Sequence, residues 1–350
     1  LPIFELASED LSLLDGYNYI VLGSTTEEQS IIIENEEISL EELYNAHCET
    51  LEPIFPTKSV DIKEKIETIN FISQGEAKKS SITIAKPRVF IPTFPGTNCE
   101  YDLQRAFEKA GANTNIEVFK NLTYKDIEDS IETIVKQIRK SQIIMLPGGF
   151  SAGDEPDGSA KFMATVFRNP KVAEAVNEFL TKQDGLMLGI CNGFQALIKL
   201  GLVPYGEIRE TTVDAPTLTY NNIGRHQSKI VRTRIASNKS PWLKATEVGD
   251  THSIAISHGE GKFVASEEVM RQLIANGQIA TQYVDFNDNA TYDIDFNPNG
   301  STYAVEGITS ADGRIFGKMG HSERIGEHVI KNIIGEKDQK IFESGVNYFK

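Results

Sequence analysis

Cysteine is scarce in this sequence, since its 350 residues contain only Cys48, Cys99 and Cys191. An odd set without C-x-x-C spacing argues against a disulfide framework and against a cysteine-based zinc site. We therefore expect no metal in the protein and a reducing compartment, the cytoplasm, as its location. A cysteine in a structurally special position is then a candidate for chemistry.

Two further features are missing, a long apolar run and an excess of basic residues. No apolar stretch approaches the roughly 20 residues that span a bilayer. Acidic residues outnumber basic residues by 50 to 35, which gives a formal net charge of -15. Proteins that bind a phosphate backbone normally carry the opposite sign. The composition therefore argues against both nucleic acid and membrane as partners.

The pattern of residues divides the chain into three parts. Residues 1–60 form a small N-terminal α+β appendage, residues 61–86 form a polar linker, and residues 87–350 form the main domain. From Arg88 onward, short apolar strands alternate with amphipathic helices, which is typical of a parallel sheet covered on both faces. The predicted fold class is α/β, with a mostly parallel sheet and helices on both faces.

The N-terminal appendage is predicted to contain two short strands and one helix. The strands are expected at residues 17–23 and 30–37, and an amphipathic helix at residues 39–52 with Ser39 as its N-cap. Because so few elements bury little apolar surface, this part is not expected to make a good core by itself.

Cys191 lies between Gly189 and Gly193, where an apolar strand runs into a helix-like segment. The G-x-C-x-G spacing is the thiol version of the nucleophile elbow, a sharp strand-to-helix turn that lifts the reactive side chain above the sheet. The glycines allow the turn without a Cβ clash, and the positive end of the following helix favours the thiolate. Cys191 is therefore the candidate nucleophile.

A cysteine nucleophile needs a histidine base, and the base needs a group that orients it. His258 is the preferred base, because Glu260 follows two residues later and residues i and i+2 of an extended segment point to the same face. His321 is the alternative, since it too lies near a carboxylate, that of Glu323. The residues thus favour a Cys-His-Glu triad and leave two histidines as its possible centre.

Six ordered motifs then resemble those of a known family. They lie at residues 94–102 (FPGTNCEYD), 147–155 (PGGFSAGDE), 189–197 (GICNGFQAL), 257–263 (SHGEGKF), 297–301 (NPNGS) and 305–324 (VEGITSADGRIFGKMGHSER). The chain from Lys86 onward resembles the class I, triad-type glutamine amidotransferases of flavodoxin-like fold, and within them the glutaminase domains of phosphoribosylformylglycinamidine synthases. One departure is the segment 320–324 (GHSER), where related amidotransferases often carry P-H-P-E-R.

The resemblance implies both an activity and a set of site residues. The activity is hydrolysis of glutamine to glutamate and ammonia through a γ-glutamyl thioester. The assigned residues are the triad Cys191, His258 and Glu260, the oxyanion-hole residues Gly149 and Asn192, and the glutamine-binding residue Gln195.

The resemblance also implies a partner. Ammonia would pass to a synthetase half, which uses ATP and Mg²⁺ to convert formylglycinamide ribonucleotide to the amidine in de novo purine biosynthesis. Residues 1–60 resemble the C-terminal tail of that half. No cofactor is expected in the glutaminase domain, whereas ATP and Mg²⁺ are expected in the rest of the synthetase half.

Two other functions remain open from the residues alone. One is a cysteine hydrolase on a similar sheet, such as a peptidase or a deglycase, and the other is a docking module whose triad is unused. Gln195 and residues 297–301 favour the amidotransferase over the first alternative. Trapping of a thioester with a glutamine-analogue electrophile would separate it from the second.

Overall fold

The chain folds as two units, Leu1–Thr57 and Lys58–Lys350. They are seen in a computed structural model, which describes residues 3–59, 64–74, 79–153 and 159–350. Residues 61–63 and 75–78 of the predicted linker lie outside the described residues. Residues 154–158, which begin inside the predicted motif at 147–155, lie outside them as well.

The N-terminal unit contains a β-hairpin followed by a helix. Strands β1 (Ser30–Ile33) and β2 (Glu36–Ser39) pair antiparallel, and helix α1 (Leu40–Glu49) follows directly. The predicted cap is confirmed, because the hydroxyl of Ser39 accepts a hydrogen bond from the backbone N–H of Glu41 at 3.2 Å. This bond satisfies one of the N–H groups that a helix leaves unpaired at its start.

Both strand predictions for this unit need correction. Residues 17–23 form no strand. The strand expected at residues 30–37 is interrupted by a turn at Glu34 and Asn35, where Glu34 has a left-handed φ of 56°. The apolar run thus indicates β structure correctly, whereas the acidic segment after it is a turn followed by the returning strand.

The large unit contains the alternating strands and helices predicted from residue 88 onward. Its strands are β3 (Arg88–Thr93), β4 (Asn113–Val118), β5 (Ile143–Leu146), β6 (Leu186–Ile190), β7 (Thr217–Thr219), β8 (Gln227–Ile235), β9 (Thr251–His258), β10 (Lys262–Val264), β11 (Ile279–Tyr283), β12 (Val305–Thr309) and β13 (Ile315–Lys318). Its helices are α2 (Glu100–Lys109), α3 (Tyr124–Lys140), α4 (Lys161–Phe167), α5 (Pro170–Lys182), α6 (Asn192–Leu200), α7 (Leu202–Tyr205), α8 (Glu267–Ala275) and α9 (Ile341–Asn347). Within the described ranges, no helix combines the length and the apolar character that crossing a bilayer requires.

The described strands of this unit form a nine-stranded sheet and a separate antiparallel pair, β7 with β10. The spatial order in the large sheet is β4-β3-β5-β6-β13-β12-β11-β8-β9. The first five strands run parallel, and the remaining neighbours pair antiparallel. The α/β fold class is confirmed, and the later strands of the chain add an antiparallel half to the predicted parallel sheet.

Helices cover both faces of the parallel half because the chain reverses its direction across the sheet. The connection from β3 to β4 runs through α2 toward the edge, and the connection from β4 to β5 runs back through α3. Crossovers between parallel strands are right-handed, so the two opposite steps place α2 and α3 on opposite faces. Helix α5 packs beside α3, and α9 packs beside α2.

Helix α3 illustrates how the sequence produces this layer. It begins at a capping box, in which Thr123 and Asp126 exchange side-chain-to-backbone hydrogen bonds. Ile131, Ile134 and Ile138 are spaced three and four residues apart, so they share one face of the helix, and all three are buried. Burial of each such side chain contributes roughly 1.5–3 kcal/mol, which fixes this face of the helix against the sheet.

The described parts of the predicted linker belong to the large unit. The backbone N–H of Ile69 donates to the side-chain oxygen of Gln282 at 2.8 Å, and Phe71 forms a β-bridge with Ser237. Further along, the N–H of Ile84 donates to the carbonyl of Phe349 at 2.7 Å. Polar composition indicates an irregular segment here, but backbone hydrogen bonds hold it against the domain.

Candidate active site

Four neighbouring parallel strands end at one place on the sheet edge. Strands β3, β5, β6 and β13 are consecutive in the sheet, and their carboxyl ends lead to Cys99, Gly148, Cys191 and His321. A Cβ added to Gly148 would lie 2.9 Å from His321 Cε1, 3.1 Å from Cys99 Sγ and 3.5 Å from Cys191 Cβ. Three chemically active side chains therefore surround one glycine, at the edge where parallel sheets bind their ligands.

Cys191 occupies the sharp turn that the glycine spacing predicts. Its φ of 53° and ψ of -107° lie outside the conformations that most residues adopt, and the helix α6 begins at the next residue. The two glycines are required by space, since a Cβ at Gly193 would lie 2.1 Å from the carbonyl oxygen of Leu146 and one at Gly189 would lie 2.6 Å from the oxygen of Gly193. The Cys191 N–H donates to the carbonyl of Lys318 at 2.8 Å, which ties the turn to β13.

His321 and Glu323 form a buried pair beside this cysteine. The imidazole Nδ1 lies 2.6 Å from the Glu323 carboxylate, and both side chains are buried. The backbone N–H of His321 donates to the carbonyl of Ala255 at 2.8 Å. The imidazole and Cys191 lie around the same residue, since a Cβ at Gly148 would be 2.9 Å from His321 Cε1 and 3.5 Å from Cys191 Cβ, and Cys99 Sγ lies 3.9 Å from the imidazole Nδ1. The alternative histidine of the sequence analysis is thus the one that adjoins the candidate nucleophile.

The surroundings of His321 favour its charged form. Burial by itself would lower the pKa of His321, but Glu323, Cys191 and Cys99 outweigh it and raise the pKa well above its usual value. Burial would likewise raise the pKa of Glu323, but the adjacent His321 lowers it. A histidine held beside a carboxylate and a thiol in this way can take a proton from the sulfur and hold it.

The predicted hydrogen bond between His258 and Glu260 is not formed. His258 is buried at the end of β9, and its two ring nitrogens have no hydrogen-bond partner among the described residues. The Glu260 carboxylate instead accepts a hydrogen bond from the backbone N–H of Ser159 at 2.9 Å. The prediction assumed an extended backbone, but the strand ends at His258, and a Cβ at Gly261 would lie 2.2 Å from the imidazole. The imidazole therefore packs over the glycine that follows rather than beside the carboxylate.

The environment of His258 suppresses its charged form. Burial lowers its pKa to about 3, and the neighbouring His321 and His226 add to the effect by repulsion. Since the ordinary pKa of histidine is about 6.5, His258 is neutral in the folded protein over the whole physiological range. A neutral imidazole without partners contrasts with the charged, paired His321.

His258→Gln is expected to make the large unit less sensitive to acid. The unfolded chain binds a proton at this histidine below about pH 6.5 and the folded protein does so only near pH 3, so the folded state loses about 1.4 kcal/mol per pH unit in between. Between pH 7.5 and pH 5.0, the free energy of unfolding of the variant should therefore gain about 2 kcal/mol relative to the natural protein. Urea unfolding at both pH values measures this, and a difference that does not change with pH would contradict a neutral His258.

Gly149 has a free donor in a conformation that favours glycine. Its φ is 127°, and a Cβ would lie 2.7 Å from both the Gly96 oxygen and the Thr97 Cα. It forms a β-bridge with Thr97, but the hydrogen bonds of that bridge run from Asn98 to Gly148 and from Phe150 to Gly96. Within the described ranges, the N–H of Gly149 thus has no hydrogen-bond partner.

Asn192 and Gln195 connect three of the motifs through their side chains. The Asn192 amide donates to the Gln195 oxygen at 2.9 Å and accepts a hydrogen bond from the N–H of Ser151 at 3.2 Å. Gln195 in turn donates to the backbone carbonyl of Glu260 at 2.6 Å. Glu260 therefore contacts Gln195 through its backbone, while its carboxylate is bound by the N–H of Ser159.

Three polar residues that the sequence analysis did not assign hold the segment 258–261. Asn221 donates to the carbonyl of His258 at 2.9 Å and accepts a hydrogen bond from the N–H of Gly261 at 3.2 Å. Asn299 donates to the Gly261 carbonyl at 3.0 Å, and the Ser301 hydroxyl contacts the same oxygen. Asn299 and Ser301 belong to the NPNGS motif at residues 297–301, which was a signal for them. The sequence around Asn221 gave no comparable signal.

One group of side chains at the site consists of metal-ligand types. Cys99, His321 and Glu323 place their ligand atoms within 4.8 Å of one another. The Arg324 guanidinium, however, donates to Cys99 Sγ at 3.2 Å, and its positive charge opposes a cation at the same sulfur. We therefore assign no metal to this group, and the absence of a metal stays a prediction.

Comparison with known proteins gives the site its context. A family model, the CobB/CobQ-like glutamine amidotransferase domain, matches residues 86–349. Phosphoribosylformylglycinamidine synthase subunit PurQ of Thermotoga maritima is 30% identical over 267 residues, covering 76% of this chain and 99% of that protein. The subunit of the same name from Campylobacter jejuni is 32% identical over 263 residues, covering 75% of this chain and 99% of that protein.

A solved structure agrees with these matches. A chain in the structure of PurLQS from Thermotoga maritima aligns with a TM-score of 0.54 and 28% identity, covering 76% of this chain and 100% of that chain. The resemblance inferred from the six motifs is confirmed, and it extends over the whole region from Lys86 onward. This chain belongs to the family of CobB/CobQ-like glutamine amidotransferase domains.

Proposed function

We propose that this protein hydrolyses glutamine and supplies the ammonia to a synthetase partner that converts formylglycinamide ribonucleotide to the amidine in purine biosynthesis. The relatives named as phosphoribosylformylglycinamidine synthase subunits are covered almost end to end, which supports this assignment. The observation that carries the proposal is Cys191 on its strained turn beside the buried His321–Glu323 pair.

The proposed triad is Cys191, His321 and Glu323, in place of the expected His258 and Glu260. His321 lies with Cys191 beside Gly148 and is paired with a carboxylate, whereas the ring nitrogens of His258 have no hydrogen-bond partner among the described residues. An orienting carboxylate works by fixing the imidazole and stabilising its charged form. Glu323 does both for His321, and Glu260 is engaged with Ser159.

The reaction proceeds in two half-reactions. The Cys191 thiolate attacks the side-chain carboxamide carbon of glutamine, and the charged His321 gives its proton to the departing nitrogen, which leaves as ammonia. The γ-glutamyl thioester remains. His321, now neutral, takes a proton from water, the hydroxide adds to the thioester, and the thiolate leaves as glutamate is released. At the end of the cycle His321 is again protonated and Cys191 is again a thiolate, so no cofactor is consumed.

The developing negative charge on the carboxamide oxygen needs donors that are already in place. We assign this role to the backbone N–H groups of Gly149 and Asn192, as the sequence analysis expected. Gly149 follows β5 with its N–H pointing to no described partner, and Asn192 begins the helix after the nucleophile. Gln195, whose amide lies between Asn192 and the Glu260 carbonyl, is the proposed contact for the bound glutamine.

ATP and Mg²⁺ belong to the synthetase partner in this proposal, because thioester chemistry at Cys191 requires neither. The protein acts in the cytoplasm, where its free thiols stay reduced. The net charge of -15 supports a small-molecule substrate and a protein partner rather than nucleic acid.

The proposal is tested by incubating the chain with glutamine and measuring its products. Glutamate and ammonia are expected in equal amounts, at a rate that rises when the synthetase partner, ATP and formylglycinamide ribonucleotide are added. Asparagine, which is shorter by one methylene, is the control and should release no ammonia. The absence of glutamate under both conditions would contradict the proposal.

A further inference from the structure

Glu306 and Lys318 form an ion pair in the centre of the sheet. Glu306 lies on β12 and Lys318 on the neighbouring strand β13. The ammonium nitrogen is 3.2 Å from the carboxylate, and neither side chain has any exposed surface. Removing two charges from water costs several kcal/mol per ion unless further hydrogen bonds compensate. Attraction between the two charges alone does not explain a pair in this position, so the other groups that it binds matter.

The remaining hydrogen bonds of the pair go mostly to the segment that carries His321. Lys318 Nζ donates to the Gly320 carbonyl at 2.7 Å and to the Ser322 hydroxyl at 3.0 Å. Glu306 accepts a hydrogen bond from the Gly320 N–H at 2.6 Å. Its other oxygen accepts one from the hydroxyl of Thr281. The pair thus binds both the N–H and the carbonyl of Gly320, the residue before His321. It also binds the side chain of Ser322, the residue after His321.

Gly320 and Ser322 are the residues at which this chain departs from the P-H-P-E-R pattern of related amidotransferases. Proline has no N–H for Glu306 and no hydroxyl for Lys318, and it restricts the backbone where glycine leaves it free. A Cβ at Gly320 would also lie 2.7 Å from Ile254 Cγ2, 2.9 Å from the Glu306 carboxylate and 3.1 Å from Lys318 Nζ. The ion pair therefore occupies part of the space that a side chain at position 320 would need.

We propose that Glu306 and Lys318 are positioning residues that fix the backbone on both sides of His321 and thereby direct its imidazole at Cys191. The inference rests on the proposed role of His321 as the base. In this chain the charged pair supplies a restraint that a proline-containing segment supplies through its own covalent geometry. Because the pair acts through His321, its loss affects the chemical step rather than the binding of glutamine.

The test compares Lys318→Met with the natural protein in steady-state glutamine hydrolysis. A misplacement of about 1 Å in a catalytic group costs about 10²-fold, so kcat should fall by about that factor while KM stays within about threefold. The pH dependence of kcat should also shift, because the distance between His321 and Cys191 changes. A structural defect alone would lower the amount of folded protein and leave both the KM and the pH profile of the remainder unchanged.

A matched control lies at the other end of the same strand. Asp312 and Arg314 form an ion pair just before β13, away from His321. Asp312→Asn should therefore lower the melting temperature without changing kcat. If Lys318→Met fails to fold, the double variant Glu306→Leu with Lys318→Met leaves no unpaired buried charge; it removes the hydrogen bonds to Gly320 and is expected to show the same selective loss in kcat.

Introducing proline at position 320 tests whether a different backbone restraint can recover the lost kcat. In a background of Glu306→Ala and Lys318→Met, the added change Gly320→Pro should recover at least part of kcat, because the proline ring restricts the backbone and only Ile254 Cγ2, of the three nearest atoms, still has to shift. A folded Lys318→Met with full kcat, alongside an inactive His321→Ala, would overturn the inference alone. A fully active His321→Ala would overturn the assignment of the base and the inference together.

Discussion

His321→Ala is expected to lower kcat for glutamine hydrolysis by roughly 10⁴- to 10⁶-fold, the range found when one member of a nucleophilic triad is replaced. The variant keeps Cys191 on its turn, but the sulfur loses the group that takes its proton and protonates the departing ammonia. Glutamate release over hours at saturating glutamine is sensitive enough to measure the residual rate.

His258→Ala is the matched control for this experiment. His258 is as deeply buried as His321, so both variants remove an imidazole from the interior near the same site. We expect kcat of His258→Ala to stay within about tenfold of the natural protein, since no described residue makes a hydrogen bond that would orient this ring. If His258→Ala were inactive and His321→Ala active, the triad would be the one that the sequence first indicated.

Cys191→Ala is expected to abolish both glutamine hydrolysis and covalent labelling by a glutamine-analogue electrophile. No thioester can form without the sulfur, so the loss in kcat should be at least about 10⁴-fold. In the presence of the synthetase partner, added ammonium salt should still support amidine formation, because only the ammonia supply is lost. Mass spectrometry of the labelled peptide and an assay with ammonium measure the two effects separately.

The other two cysteines serve as controls for that result. Cys48 lies in the N-terminal unit, and Cys48→Ala should leave hydrolysis and labelling unchanged. Cys99 Sγ lies near His321 and receives a hydrogen bond from Arg324, so Cys99→Ser tests whether the second thiol of the site shares in the chemistry. Labelling that disappears with Cys99→Ser but persists in Cys191→Ala would reverse their roles.

The fold of the parallel half could be predicted from sequence because its signals are local. Helix α3 begins and ends where its pattern indicates, since Thr123 caps it and its isoleucines repeat at helical spacing. The strand β6 and the turn at Cys191 follow from an apolar run and two glycines. The hairpin around Glu34 was missed, because a left-handed φ at a glutamate has no sequence signal comparable to glycine.

The choice between the two histidines could not be predicted, because it depends on strand order. His258 and His321 each have a glutamate two residues later, so local spacing treats them alike. What separates them is that β13 pairs parallel with β6, which places His321 beside Cys191. A parallel pairing between strands so distant in sequence leaves no pattern within either strand. The expected contact between His258 and Glu260 is not formed for a related reason, since β9 ends at His258 and does not extend to residue 260.

The place of β13 has a consequence for the order in which the enzyme is made. This strand lies between β6 and β12, and Lys318 is opposite Ile190, the residue before the nucleophile. A ribosome makes Cys191 and the strands around it well before it reaches His321, although both belong to one unit and a domain generally folds as a unit. With His321 as the proposed base, the thiol has no proton acceptor until β13 takes its place in the middle of the sheet. On this assignment an unfinished chain cannot consume glutamine, and the strand that joins the two halves of the sheet is also the one that brings the proposed base to the thiol.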